Sequence, residues 1–570
     1  MLILDSNLAK LISATLSRNG SSNTELMDIH SDPASLESDI FSHSLVYCNF
    51  HSNTMGNSLG LIEALEINNT GYFRMQLKRL FSTLLPCLIF FLAIGNVSAQ
   101  QAIPEFSRTQ PDTFGGNMAL SNAWGDYDND GDLDLAISFK TGDIRLYNNE
   151  LGGFTNVGPV LGLPTGGKER RAIAGGDYDG DSFLDLYIGS NRQGNELFHN
   201  DKSQSFTEVT NEYGVDIPRV STRQISWVDY DNSGTLDLFV ADRVGNNVLF
   251  SNVDGKFVDV STDVGLADPR ATVGACWFDY NQDGLLDLFL ANQGTDKDAL
   301  YRNNDGNFID VAGQLDMEGG YRERSDGGVD CSVGDFNNDG HFDLFVATYG
   351  INKLYRNNGD SSFAEVSNGL GISGNDHMVG ASWGDYDNDG LLDLFAVGYH
   401  DDDGVRSPHD RLFHNVGETF QELDLKKTAL NGADHGVQWA DFDGDGDLDV
   451  SLTEGYNIAG RHPLVRNNLA SALSAQSLQV SVSDQQGVLN RAGAEVRVYN
   501  RQGALLGLRL VTTGDGYNSH SNQPVHFGLP DNEVLTVEVT FLTATGRMTQ
   551  RYENIRLDDY IGRTLKVRQQ

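Results

Sequence analysis

Cysteine is scarce, with four in 570 residues, so a disulfide scaffold is excluded. Basic residues are few too: 40 Lys and Arg face 80 Asp and Glu, for a formal charge of −40. That balance argues against a nucleic-acid or anionic-membrane partner. Long apolar runs are nearly absent. The exception, Leu80 to Gly95, falls short of the ~20 residues a membrane helix needs. No G-x-S-x-G, H-E-x-x-H or phosphate loop occurs, and histidines are scattered. No catalytic constellation is recognisable, and the chain reads as a non-enzyme.

The apolar run has a context. Met75-Gln-Leu-Lys78-Arg79 is basic, Leu80 to Gly95 is apolar, and Val97-Ser98-Ala99 is a small-residue cleavage site. That order predicts a secretory signal peptide over 75–99, a mature chain from Gln100 without a membrane span, and a secreted or periplasmic location. Residues 1–74 then read as a disordered upstream extension. The alternative is a cytoplasmic extension followed by a signal anchor.

What the chain has in abundance is one acidic loop, seven times over. Its pattern is D-x-D-x-D-G-x-x-D, with first aspartates at Asp126, Asp177, Asp229, Asp279, Asp335, Asp385 and Asp441. By subtraction the steps are 51, 52, 50, 56, 50 and 56 residues, the signature of a repeat architecture. Side chains at positions 1, 3, 5 and 9 and the backbone carbonyl at 7 can surround a hard cation such as calcium, with glycine at 6 for the turn.

The candidate ligands follow loop by loop. Loop one offers Asp126, Asp128, Asp130, Asp132 and Asp134. Loop two offers Asp177, Asp179, Asp181, Phe183 and Asp185, with Ser182 in the glycine place. Loop three offers Asp229, Asp231, Ser233, Thr235 and Asp237. Loop four offers Asp279, Asn281, Asp283, Leu285 and Asp287. Loop five offers Asp335, Asn337, Asp339, His341 and Asp343. Loop six offers Asp385, Asp387, Asp389, Leu391 and Asp393. Loop seven offers Asp441, Asp443, Asp445, Asp447 and Asp449. Up to seven calcium ions are expected, more weakly in loops two and three. Without the distal glutamate of an EF-hand, affinity is expected on the order of 10⁻⁴–10⁻³ M.

Around each loop the sequence reads as strands. A stretch such as Ser226-Trp227-Val228 leads in, and an apolar run such as Leu236 to Ala241 leads out. A segment ending in Asn follows, as in Leu300-Tyr301-Arg302-Asn303-Asn304, then a Phe-led strand such as Phe308 to Val311. Four strands per unit, repeated seven times, predict an all-β chain, a seven-bladed β-propeller over 100–468. The last unit lacks its Phe-led strand, and an orphan stretch near Phe106-Ser107 precedes the first loop. That N-terminal strand is expected to complete the last blade and hide its edges. Cys276 lies three residues before its loop and Cys331 four before, an offset that aims them at opposite faces. Two buried free thiols are expected, with a disulfide as the alternative.

These units resemble FG-GAP/VCBS repeats, the kind that build the integrin α-subunit propeller, over about Ile103 to Asn468. The aspartate loop carries the likeness, and the calcium-ligand positions are those given above. After a linker at 469–477 the period stops. Asn490-Arg491-Ala492-Gly493-Ala494, Gly514-Asp515-Gly516-Tyr517 and Val525-His526-Phe527-Gly528-Leu529 resemble the ASPIC/UnbV domain. This tail, 478–567, is expected to be a small β-sandwich-like domain with its own core, so that its loss would be mild. Gly514 to His520 reads as a functional loop or as a turn with a buried Tyr.

Arg171, Arg223 and His435, each six residues before a loop, and His377, eight before, approach the mouth of a propeller channel. They are either an anionic-ligand site or solvated strand ends. Two functions fit: an extracellular, calcium-stabilised binding or adhesion module for a protein or glycan, and a propeller lyase acting on polysaccharide, with a base at the channel mouth.

Overall fold

The computed structural model describes residues 105–570, apart from 117, 151, 254, 373, 375–376, 399–409, 427, 433–434, 456–460 and 531–533. Upstream it describes the backbone of three strands, Asp28–His30, Gly60–Ile67 and Tyr72–Arg79, paired in one sheet. The expected signal segment from residue 80 onward, and the rest of 1–74, lie outside the described residues.

The fold is an all-β propeller. Antiparallel four-strand arrays follow one another, each opened by an inner strand that runs into an aspartate loop. In array one the strands are Ala119–Gly125, Asp134–Phe139, Ile144–Glu150 and Gly153–Asn156. The inner strands of arrays two to six are Arg170–Gly176, Val220–Val228, Thr272–Phe278, Gly328–Gly334 and Met378–Gly384. Array seven contains Val437–Ala440, Asp449–Leu452 and Leu464–Asn468. Its fourth strand is Glu105–Thr109, in register from Leu464↔Thr109 to Asn468↔Glu105. The ring is thus shut by pairing the two ends of the repeat region, which removes an exposed edge.

The core lies between arrays. The inner-strand Trp stacks on the aromatic at loop position 2 of the preceding array. Trp227 lies on Tyr178, Trp383 on Phe336, Trp439 on Tyr386, and Trp124 on Phe442 across the closure, with interplanar angles of 4–16°. Glycine ends an inner strand where such a ring arrives. A Cβ on Gly176 would sit 2.5 Å from the Trp227 ring, and one on Gly384 2.7 Å from Trp439.

The same geometry corrects the cysteine expectation. Cys276 and Cys331 form a disulfide, Cα to Cα 6.1 Å, within the usual range. They do point to opposite faces of their own arrays. In a propeller, however, one face of an array packs against the opposite face of the next, so the two side chains meet in the gap.

The tail builds two sheets. Ser477–Ser483 lies between Val525–Gly528 and Thr564–Arg568. Glu495–Tyr499 lies between Leu505–Leu510 and Val534–Thr543, and the last pairs with Gly546–Arg556. Val480, Val496, Phe527, Val537 and Phe541 fill its core. It is nevertheless not separate, because Ile103–Gln570 forms one compact unit. The expected linker is fastened to loop seven, where Leu469 N and Ser474 Oγ both donate to Asp447 Oδ2.

The segment from Thr513 to Asn522 is more than a turn, because it fills the propeller channel. It bonds the inner strand of every array. Ser121 Oγ donates to Asn518 O at 2.8 Å, Ile173 N to Asn518 O at 3.2 Å, and Gln224 Nε2 to Ser519 O at 2.6 Å. Thr513 Oγ1 donates to Trp277 O at 2.8 Å, and Ser332 and Ser382 both donate to the Asp515 carboxylate. Val437 N donates to Gly516 O at 3.1 Å. Ser519–His520 adds two residues of parallel strand to Arg170–Gly176.

The channel residues are corrected with it. Arg171, Arg223 and His435 are buried, not solvated strand ends. The His435 ring lies 5.3 Å from that of Tyr517 on the plug, and His377 stacks on Tyr349 at 3.9 Å.

Candidate metal centres

Each aspartate loop is wound by its own carboxylates. In loop one, Asp126 accepts the backbone N–H groups of Asp130 and Gly131, both at 3.1 Å. Asp128 accepts Asp130 N, and Asp130 accepts Asp132 N at 2.9 Å. Asp134 accepts Tyr127 N at 3.0 Å and Asn149 N at 2.8 Å. The turn from position 5 to position 7 recurs in every loop, closing on the N–H of Asp132, Phe183, Thr235, Leu285, His341, Leu391 and Asp447.

The winding needs two left-handed residues, not one. Position 6 has φ from 77° to 102°, with Ser182 at the low end, and position 4 has φ from 54° to 75°. Asn, Gly or Gln at position 4 meets that demand. Where it has a side chain, that amide also reaches the carbonyl at position 6 of the next loop. Asn129 donates to Ser182 O, Asn232 to Gly284 O, Gln282 to Gly340 O, Asn338 to Gly390 O, and Asn388 to Gly446 O, all at 2.8–3.0 Å.

A second relay runs the other way. The buried Asn at or near the end of each third strand donates to the position-2 carbonyl of the preceding loop. Asn149 reaches Phe442 O, Asn200 Tyr127 O, Asn252 Tyr178 O, Asn303 Tyr230 O, Asn357 Tyr280 O, Asn415 Phe336 O, and Asn467 Tyr386 O, at 2.7–3.0 Å. The recurring Asn of the third strand was the available signal for this latch.

The carboxylates at positions 1, 3 and 9 converge. In Asp126/Asp128/Asp134 and Asp229/Asp231/Asp237, one oxygen from each residue lies within 4.8 Å of the others; Asp177/Asp179/Asp181 converge likewise. Burial, with neighbouring carboxylates adding to it, pushes Asp126, Asp177, Asp229 and Asp335 up to about 6. It pushes Asp441 to about 7, and Asp134 and Asp237 to about 8. Asp287, Asp343, Asp385 and Asp449 are held well above the carboxylate range.

Asp287 Oδ2, Asp387 Oδ1, Asp443 Oδ1 and Asp447 Oδ1 are buried with no hydrogen-bond partner among the described residues. Orphaned, anionic oxygen donors of this kind fit a hard divalent cation. Two loops also meet the tail. Arg547 Nη1 lies 2.6 Å from Asp279 Oδ2, and Gln479 Nε2 donates to Asp441 Oδ2 at 2.6 Å.

Comparison with known proteins agrees with this architecture. The FG-GAP-like repeat matches six overlapping spans, 126–188, 177–240, 229–290, 279–346, 335–396 and 385–451. The chain belongs to the FG-GAP-like repeat proteins. The family described as ASPIC and UnbV matches 485–570. Cartilage acidic protein 1 of Xenopus tropicalis is 25% identical over 495 residues, covering 78% of this chain and 74% of its own. The Homo sapiens protein of that name is 25% identical over 515 residues, covering 81% and 75%. Among solved structures, BBS1N in complex with ARL6DN aligns at TM-score 0.41 and 9% identity, covering 64% of this chain and 98% of that one.

Proposed function

We propose that this FG-GAP-like propeller is a calcium-stabilised, non-catalytic binding or adhesion module that works outside the cytoplasm on a protein or glycan ligand. The observation that carries the calcium reading is the buried, orphaned carboxylate oxygen repeated in several loops, next to like charges that only a cation would neutralise. Calcium, when bound, supplies that neutralisation. The chain's own residues hold the loops wound and linked around the ring. In loops four and seven an arginine already shares that role, because Arg547 pairs with Asp279 and Arg466 with Asp443.

Binding is favoured over lyase chemistry by the filled channel. A lyase of this architecture would need an accessible base and cations at the channel mouth, and Arg171, Arg223 and His435 are buried. The Cys276–Cys331 disulfide supports an oxidising compartment, in keeping with a secretory signal at 75–99. The relatives, named as acidic proteins of cartilage, fit the same setting.

Two measurements test this. Equilibrium dialysis should count several calcium ions per chain, and chelator should lower the melting temperature. A glycan array probed with and without chelator should show calcium-dependent binding. A melting temperature indifferent to chelator would remove the calcium reading.

A further inference from the structure

One place in the fold distinguishes two loops from the other five. The residue just before the buried Asn of the third strand lies over the loop. In array one it is Asn148, which donates to Asp128 at 2.6 Å. In array three it is Ser251, and in arrays four, five and seven it is Arg302, Arg356 and Arg466, the last paired with Asp443. Arginine brings charge but no lone pair. In arrays two and six the residue is a histidine. His414 Nδ1 lies 3.1 Å from Asp393 Oδ1 and 3.6 Å from Asp387 Oδ2. His199 Nδ1 lies 3.1 Å from Asp185 Oδ1 and 3.5 Å from Asp179 Oδ2. In both sets the nitrogen and two carboxylate oxygens lie within 4.8 Å of one another.

We propose that Asp387, Asp393 and His414, and in array two Asp179, Asp185 and His199, form mixed nitrogen and oxygen sites that hold a zinc-class divalent cation in preference to calcium. This deepens the reading of the loops as cation sites and rests on it. Calcium takes oxygen donors, whereas imidazole favours zinc and its neighbours in the first transition row. The site in array six is the better built. All three of its residues are buried, and Asp387 Oδ1 has no hydrogen-bond partner among the described residues. In array two, Asp201 Oδ1 stands 3.8 Å from His199 Nε2, on the far side of the ring. At that distance it makes no hydrogen bond to the ring and acts on it only through charge.

The test uses the full chain, stripped with chelator and dialysed against zinc chloride in excess calcium, with both metals counted by elemental analysis. The expected result is two zinc ions retained per chain. His414→Asn and His199→Asn should each lose one, with affinity at the altered site at least about tenfold weaker. The double variant should retain none, while the calcium count at the other loops is unchanged. Should an Asn variant fail to fold, His414→Arg restores the residue type that arrays four, five and seven carry, and it too should lose one zinc. Zinc fully displaced by calcium, or retained equally by the double variant, overturns the proposal. Histidine-dependent zinc with no calcium at any loop would instead sink the calcium reading alone.

Discussion

At the scale of the residue, the loops pit backbone winding against charge. Each carboxylate is drawn in to cap N–H groups, and burial then penalises its ionised form. Asp134 and Asp237 at about 8, Asp441 at about 7, and Asp126 and Asp229 at about 6 all lie above their ordinary 3.8. The folded chain therefore holds protons that the unfolded chain releases, and ionisation opposes folding. In chelator, this contribution should be fully present below about pH 4 and be lost progressively as pH rises from there through 8. His199 and His414, raised to about 9 chiefly by their hydrogen bonds to Asp185 and Asp393, act in the same direction at higher pH. Melting curves in chelator at pH 5 and pH 8 check this, and greater stability at pH 8 would contradict it. Saturating calcium should shrink the difference. The latch makes a separate prediction. Asn303→Ala leaves Tyr230 O and Leu286 O without their side-chain donor in a buried place, at a cost of about 1–3 kcal/mol in denaturant unfolding. The loop aspartates were legible as a recurring pattern because each turn holds them at fixed spacing. The latch Asn and the position-4 Asn were visible as repeats, but their partners lie in other arrays, and a linear pattern does not name a partner.

At the scale of the element, strand identity was legible because each apolar run is bounded by Gly, Asn and Asp turns. The pairing of Glu105–Thr109 with Leu464–Asn468 was legible as well, from a missing strand at one end and an orphan at the other. The disulfide was misread because facing was judged within one sheet, whereas the meeting surface lies between two. The closing strand supports a prediction of its own. Phe106 packs in the same cluster as Tyr386, Trp439 and Val465, and Asn468 bonds Glu105 O and Ser107 Oγ. Deleting residues 101–110 leaves every aspartate loop intact in sequence but uncovers the edge of Leu464–Asn468. The truncated protein should melt at lower temperature and aggregate even in saturating calcium. An unchanged melting temperature would mean that the strand is an ornament of the ring.

At the scale of the whole molecule, the tail and the propeller share one structure. The tail has its own hydrophobic core, which is why the sequence read as an independent domain. Nothing in its composition announced that the loop between two of its strands would enter the channel of another region. Inside, the plug satisfies backbone N–H groups at Ile173, Trp124, Trp227 and Val437, and it carries a half-buried Asp515 and a buried His520 whose value is pushed down by burial to about 4. Gly516 marks the tightest point. Its φ is +72°, and a Cβ there would fall 1.9 Å from Val437 O. Gly516→Val should therefore expel the plug while leaving the tail's core and all the aspartate loops in place. Inner-strand bonds worth about 1 kcal/mol each would be lost together. Melting temperature should drop in saturating calcium, calcium stoichiometry should hold, and amide exchange should quicken along the inner strands of arrays that are far apart in sequence. Removing the tail from Ser477 onward should cost at least as much, contrary to what an independent domain implies. If Gly516→Val melts like the parent and the inner strands keep their protection, the plug only occupies the channel, and the ring stands on its inter-array latches alone.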